Sequence, residues 1–200
     1  MRRLRMGLCG AGLVGQAEHA FFLWEDQARF EFVALVEASE TVLTALGNRY
    51  RIPKLCSRLD DLLGCNLDAV VIALPDALHS DFAVAAFAAG LHVLCEKPLS
   101  LTVSGCDRMI AARDKAGRIG QVAYMKCYDP AFRAALDHLP SPDRIRLIAV
   151  EVHDPDHEPF VAHLPMVWPN DLPQRLRDEL RAATQSQLDE TAGRETNSQA

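Results

Sequence analysis

Short apolar runs alternate along the chain with stretches in which apolar positions recur every three or four residues, so strands and helices are predicted in turn. A short apolar strand from Leu4 runs straight into a glycine-rich turn that begins at Gly10. Gln16 to Trp24 follows as a helix, with Phe21, Phe22 and Trp24 as its apolar contacts. Glu31 to Val36 is a second strand. Ser39 can cap a helix reaching about Tyr50, with Leu43, Leu46 and Tyr50 on one face and Pro53 beyond its end. Leu55-Cys56 predicts a short third strand and Leu59 to Leu63 a helical turn. Asp68 to Leu74 is the clearest strand, apolar on both faces as a central parallel strand must be, and Pro75 stops it. A helix from His79 to Ala89 ends at Gly90, and Leu91 to Cys95 forms a fifth strand. Thr102 caps a helix that carries Val103, Cys106, Met109 and Ile110 inward and ends near Gly117. Val122 to Met125 is predicted as a sixth strand. This repetition of strand and helix over short links implies an α/β fold, a Rossmann-like doubly wound parallel sheet.

The rhythm changes after residue 125. Asp129-Pro130 opens a helix running to about His138, and Arg144 to His153 reads as a strand. Asp154 to Pro173 holds five prolines and little periodicity. Leu172 to Leu188 predicts an exposed, highly charged helix, and the polar stretch from Asp189 to Ala200 is expected to be disordered. The organisation expected is therefore a nucleotide-binding domain over 1–125, an incomplete α+β second domain over 126–188 and a disordered tail over 189–200. A strand at 144–153 with no later strands to pair with invites association, so a homo-oligomer or a completing partner chain is expected.

Composition narrows the function. The chain has 200 residues, a formal charge of −6, 49% hydrophobic and 24% charged residues. That balance is ordinary for a soluble globular protein and argues against a nucleic-acid surface. No apolar run reaches the ~20 residues of a membrane span. Arg2-Arg3 could open an export signal, but the apolar stretch behind them is the first strand itself, so the cytoplasm is the expected location. Cys9, Cys56, Cys65, Cys95, Cys106 and Cys127 form no C-x-x-C and read as reduced thiols.

The chemistry-bearing residues gather where the predicted strands end. Gly10-Ala11-Gly12-Leu13-Val14-Gly15 is a G-x-G-x-x-G set between strand and helix. Gly10 permits the turn, Gly12 lets a pyrophosphate approach the backbone, and Gly15 lets the helix pack close. Glu37 ends the second strand, where a carboxylate accepts the ribose hydroxyls of an adenosine and repels a 2′-phosphate. No arginine follows it, so NAD is expected over NADP. Pro75 to His79 and Glu96-Lys97-Pro98 lie at two further strand ends, the usual place for ligands of such sheets. His153, His157 and His163 are interleaved with Asp154, Asp156 and Glu158, but the spacing matches no metal motif and Pro155 and Pro159 interrupt it, so no metal is expected.

Three of these stretches occur together and in order: Gly10 to Gly15, Leu74-Pro75-Asp76-Ala77-Leu78-His79, and Ala89-Gly90-Leu91-His92-Val93-Leu94-Cys95-Glu96-Lys97-Pro98-Leu99. In them the chain resembles the glucose-fructose oxidoreductase / inositol dehydrogenase (Gfo/Idh/MocA) family, closely from about Leu4 to Leu136 and loosely to about Trp168. The resemblance implies a dinucleotide-dependent oxidoreductase that moves hydride to or from a sugar, cyclitol or related polyol. It places Lys97 near the nicotinamide and the substrate hydroxyl as the catalytic residue. Gly10, Gly12, Leu13, Val14, Gly15, Glu37, Ala73, Leu74, Pro75, His79 and Glu96 are implied to bind the cofactor. Two departures stand out. The family's second catalytic pair, an Asp and a His on a later helix, has no match here, and Cys127 stands where many relatives carry an arginine. A truncated member is therefore expected, and the alternative is a non-catalytic or split dinucleotide-binding protein.

Overall fold

The computed structural model describes residues 2–153 and 158–197. His157 with its neighbours Asp154 to Asp156, and the last three residues of the predicted tail, lie outside them. Six strands, β1 (Leu4–Cys9), β2 (Phe30–Val36), β3 (Lys54–Cys56), β4 (Ala69–Ile72), β5 (His92–Cys95) and β6 (Gly120–Val122), form one sheet. Every pairing is parallel and the order is β3-β2-β1-β4-β5-β6, the doubly wound arrangement. Its strand order reverses between β1 and β4, which opens a crevice beyond their carboxyl ends.

Alternation within the strands explains the two helical layers. Leu8, Leu35 and Val71 face one side, packing with Val42, Leu43 and Leu46 of α2 (Glu40–Tyr50). Cys9, Val36, Val70 and Ile72 face the other, against Leu62 of α3 (Leu59–Leu63), Phe87 of α4 (His79–Ala88) and Met109 of α5 (Val103–Ala116). Each fully buried aliphatic side chain contributes roughly 1.5–3 kcal/mol, so the central strands are where truncation to alanine would cost most. Ser39 caps α2, its hydroxyl accepting from Val42 N–H at 3.2 Å. Gly90 (φ 78°) and Gly117 (φ 61°) take the left-handed conformation that ends α4 and α5.

Several expected details shift. The first helix, α1, begins with a π-type segment, Gly15–Ala20, and continues as α-helix over Phe21–Glu25. The wider winding rotates the later residues, so Ala20 and Leu23 face the core. Phe21, Phe22 and Trp24 are exposed instead and pack on one another, with Trp24 reaching Tyr50 at a ring separation of 5.8 Å. On α5 the buried positions are Gly105 and Met109, while Val103 and Ile110 lie in solvent. β6 falls earlier than the apolar pattern predicts, because β5 sets its register: Val93, Leu94 and Cys95 pair with Gly120, Gln121 and Val122.

The chain forms two compact units. The first holds residues 1–123 and 166–200, so the chain returns to the sheet domain at Met166 instead of remaining in a second domain to 188. In it α8 (Gln174–Asn197) continues well past the predicted end at Leu188, so the expected disordered tail is helical up to Asn197. The second unit, residues 124–165, holds α6 (Pro130–Leu136), capped by Asp129, and the short α7 (Glu158–Val161). The strand expected over 144–153 does not form. A strand needs a neighbour for its N–H and C=O groups, and among the described residues none is there, so Leu147, Ile148, Val150 and Val152 are at least 75% exposed. No helix among the described residues is long and apolar enough to cross a membrane.

The cysteines supply a test of packing. All six are free. Burial pushes Cys9 and Cys95 up to about 12, with Cys95 and Glu96 as the respective next causes. Only the thiolate is alkylated. At pH 8 iodoacetamide is expected to label the exposed Cys127 and to leave Cys9 and Cys95 unmodified until denaturant is added, as read by peptide mass spectrometry.

Candidate functional site

The crevice begins at the turn from β1 into α1. Gly10 has φ 88°, and a Cβ there would lie 2.5 Å from the Ala73 carbonyl oxygen, so only glycine fits. A Cβ on Gly15 would lie 2.5 Å from the Gly10 carbonyl oxygen, which is the close helix approach its place in the motif requires. Gly12 is different: a Cβ there would meet nothing within 4 Å. It borders a cavity of about 550 Å³ and keeps the backbone bare toward it. A cradle walled by two sterically required glycines, with the third facing open space at a helix N-terminus, fits a pyrophosphate.

Glu37 closes one side. Its carboxylate accepts from Ala11 N–H at 2.8 Å and from Ser39 N–H at 2.9 Å, so the acid at the tip of β2 also fixes the glycine turn. A carboxylate has about four acceptor positions, which leaves capacity for ribose hydroxyls. Leu13, Val14, Ala73, Leu74, Pro75, Glu96 and Lys97 line the same cavity. The expected site residues from four separate strand ends are therefore brought to one place.

Their roles differ in detail. His79 is buried, and its ring nitrogens face two carbonyl oxygens, Pro98 at 2.8 Å through Nδ1 and Leu74 at 2.9 Å through Nε2. It ties the loop after β5 to the loop after β4. Glu96 turns toward α1: its Oε1 lies 2.8 Å from His19 Nε2, and its Oε2 accepts from Lys97 N–H at 3.2 Å. The side chain of Lys97 is exposed toward the cavity.

Several residues here carry no sequence signal. Gln16, buried behind the third glycine, donates its amide to Ala11 O at 2.7 Å and to Val167 O at 2.8 Å, and its carbonyl accepts from Val167 N–H at 3.0 Å. That grip brings residues 167–172 back across the crevice. Pro169, Leu172, Leu176 and Leu180 then form an outer apolar wall of the cavity. Farther along α8, Gln187 donates to Ala77 O at 2.9 Å and Thr191 to Leu101 O at 2.8 Å. Among the described residues no three His, Cys, Asp or Glu side chains group as metal ligands.

The sheet domain matches known proteins in sequence and fold. Inositol 2-dehydrogenase from Acidothermus cellulolyticus is 34% identical over 133 residues, covering 66% of this chain and 39% of that protein. Inositol 2-dehydrogenase 1 from Saccharopolyspora erythraea is 35% identical over 145 residues, covering 67% of this chain and 41% of that protein. The crystal structure of myo-inositol 2-dehydrogenase from Lactobacillus plantarum superposes with a TM-score of 0.64 at 28% identity, over 68% of this chain and 42% of that one. The chain thus spans about two fifths of the length of the relatives it matches. A family profile described as an oxidoreductase family with an NAD-binding Rossmann fold matches residues 4–124, more than half of the sequence, and the chain accordingly belongs to the Gfo/Idh/MocA oxidoreductase family.

Proposed function

We propose that the chain is the cofactor-binding part of an NAD-dependent oxidoreductase that transfers hydride between nicotinamide and a cyclitol, sugar or related polyol. The observation that carries this is the convergence of the glycine turn, Glu37 and Lys97 on one cavity at the carboxyl ends of β1, β2 and β5. The names of the relatives, inositol 2-dehydrogenases, support the substrate class.

When bound, the nicotinamide supplies the hydride acceptor. The chain's residues do the rest. Backbone amides from Gly12 to Val14 hold the pyrophosphate, and Glu37 holds the ribose hydroxyls. Ala73, Leu74 and Pro75 line the nicotinamide end, with His79 keeping the Leu74 and Pro98 carbonyls in place. As hydride leaves the carbinol carbon, its O–H proton needs an acceptor. Lys97 Nζ orients the hydroxyl and, in its neutral form, takes that proton. The test is NADH absorbance from purified chain with NAD and a panel of cyclitols and sugars. Turnover on at least one polyol is expected.

One observation favours a second reading, a non-catalytic dinucleotide-binding protein. Leu176 and Leu180 of α8 occupy a wall of the cavity beside the strand ends where substrate would have to enter. NAD binding without turnover across the panel would select it. The free cysteines support a reducing cytoplasm. The exposed Leu147, Ile148, Val150 and Val152 support association with a second copy or a completing chain. A dimer or larger species is expected by light scattering, and a strictly monomeric one at high concentration would count against it.

A further inference from the structure

We infer that Asp171 is a cofactor-specificity residue: it occupies the donor set beside Glu37 that a 2′-phosphate would need, and so makes the cleft select NAD and reject NADP. The inference rests on the reading of the cleft as a dinucleotide site.

In this fold the cofactors differ at one place, just past the tip of β2, where either a carboxylate meets a 2′-hydroxyl or donors meet a 2′-phosphate. Here both sets of groups are present. Glu37 sits at the tip of β2. Immediately after it come the Ser39 hydroxyl, Thr41 N–H and the Thr41 hydroxyl, at the start of the eleven-residue α2, a helix end that favours anions. Glu37 already repels a 2′-phosphate, but these donors, left free, would offset part of that repulsion.

The structure shows those donors already taken. Ser39 Oγ donates to Asp171 Oδ1, and Thr41 N–H donates to Asp171 Oδ2 at 2.9 Å. Thr41 Oγ1 lies 3.1 Å from Asp171 Oδ2 and 2.9 Å from Asn170 Oδ1. Glu37 Oε1 accepts from the N–H of the same Ser39 at 2.9 Å. Two carboxylates from opposite ends of the chain thus bracket one serine. Asp171 is delivered there by the segment that Gln16 grips at Val167, and the neighbouring Pro169 and Leu172 wall the cavity. The Ser39 hydroxyl first, and then Thr41 N–H, hold the Asp171 carboxyl below the usual carboxylate range, so it is anionic at neutral pH. A 2′-phosphate would meet negative charge from both sides and find its donors occupied.

The test uses the full chain, titrated by calorimetry with NADH, NADPH, 5′-AMP and 2′,5′-ADP. The wild type is expected to prefer NADH over NADPH, and 5′-AMP over 2′,5′-ADP, by at least ~100-fold, the scale of two to three kcal/mol per lost charge-assisted contact. Asp171→Ala is expected to raise the NADPH-to-NADH affinity ratio at least ~10-fold, with the same change between the two nucleotides. A purely structural role would weaken both members of each pair alike and leave the ratios unmoved. Asp171→Asn keeps the shape while removing the charge, and moves the ratios in the same direction; should the alanine variant fail to fold, the asparagine variant decides. Normal NADH binding with unmoved ratios overturns the role of Asp171 alone. No binding of either cofactor by the wild type overturns the dinucleotide reading, and this inference with it.

Discussion

Gly12→Val is expected to abolish dinucleotide binding while leaving the fold intact. Of the three motif glycines, only Gly12 has free space where a side chain would go. Valine there adds bulk to the cavity, and its Cβ meets no neighbour within 4 Å. Surface changes of this kind shift stability by no more than ~0.5 kcal/mol, which for a chain of this size is about 2 °C in melting temperature. Holding the pyrophosphate away from the backbone removes charge-assisted hydrogen bonds worth roughly 1.5–3 kcal/mol each, so losing two lowers NAD affinity at least ~100-fold. Calorimetry and a thermal melt on the same sample separate the two effects. Gly10→Ala is the contrasting control. Its Cβ would press on the Ala73 carbonyl at a backbone conformation that L-residues resist, so it is expected to lose the fold and binding together. Equal loss of stability in both variants would show that Gly12 is structural and that the cradle reading is wrong.

Lys97→Ala is expected to lower kcat for polyol oxidation by about 10²–10⁴-fold, the usual contribution of a positioned acid–base group. NAD affinity should change far less, because the proposed pyrophosphate and ribose contacts follow β1 and β2. The lysine side chain is exposed, so folding should be unaffected. Small alkylamines should restore part of the lost rate. A variant that keeps the wild-type rate would remove Lys97 from proton transfer.

The sheet was legible wherever a strand is buried on both faces. Ala69–Ile72 is apolar throughout, and its burial follows. The nucleotide cradle was legible because its glycines are imposed by backbone sterics, which leave a mark in sequence. β6 was misplaced because Gly120-Gln121-Val122 owes its pairing to β5 and has no apolar period of its own. The inward face of α1 was misassigned because a π-type segment alters the helical register without any residue announcing it. The run from Ile145 to Val152 has strand-like residues but, among the described residues, no neighbouring strand, and propensity alone cannot satisfy a backbone. In the site, Glu37 and Lys97 stand next to recognisable motifs. Gln16 and Asp171 act across 151 and 132 positions of sequence, in a proline-rich stretch that reads as a loop until the chain has folded back.

That folding back also bears on timing. A nucleotide held at the glycine turn would share its cavity with Pro169, on the segment that the Gln16–Val167 and Thr41–Asp171 bonds hold across the crevice. Loosening that crossing is therefore expected to speed dissociation of a bound dinucleotide, as stopped-flow displacement would read.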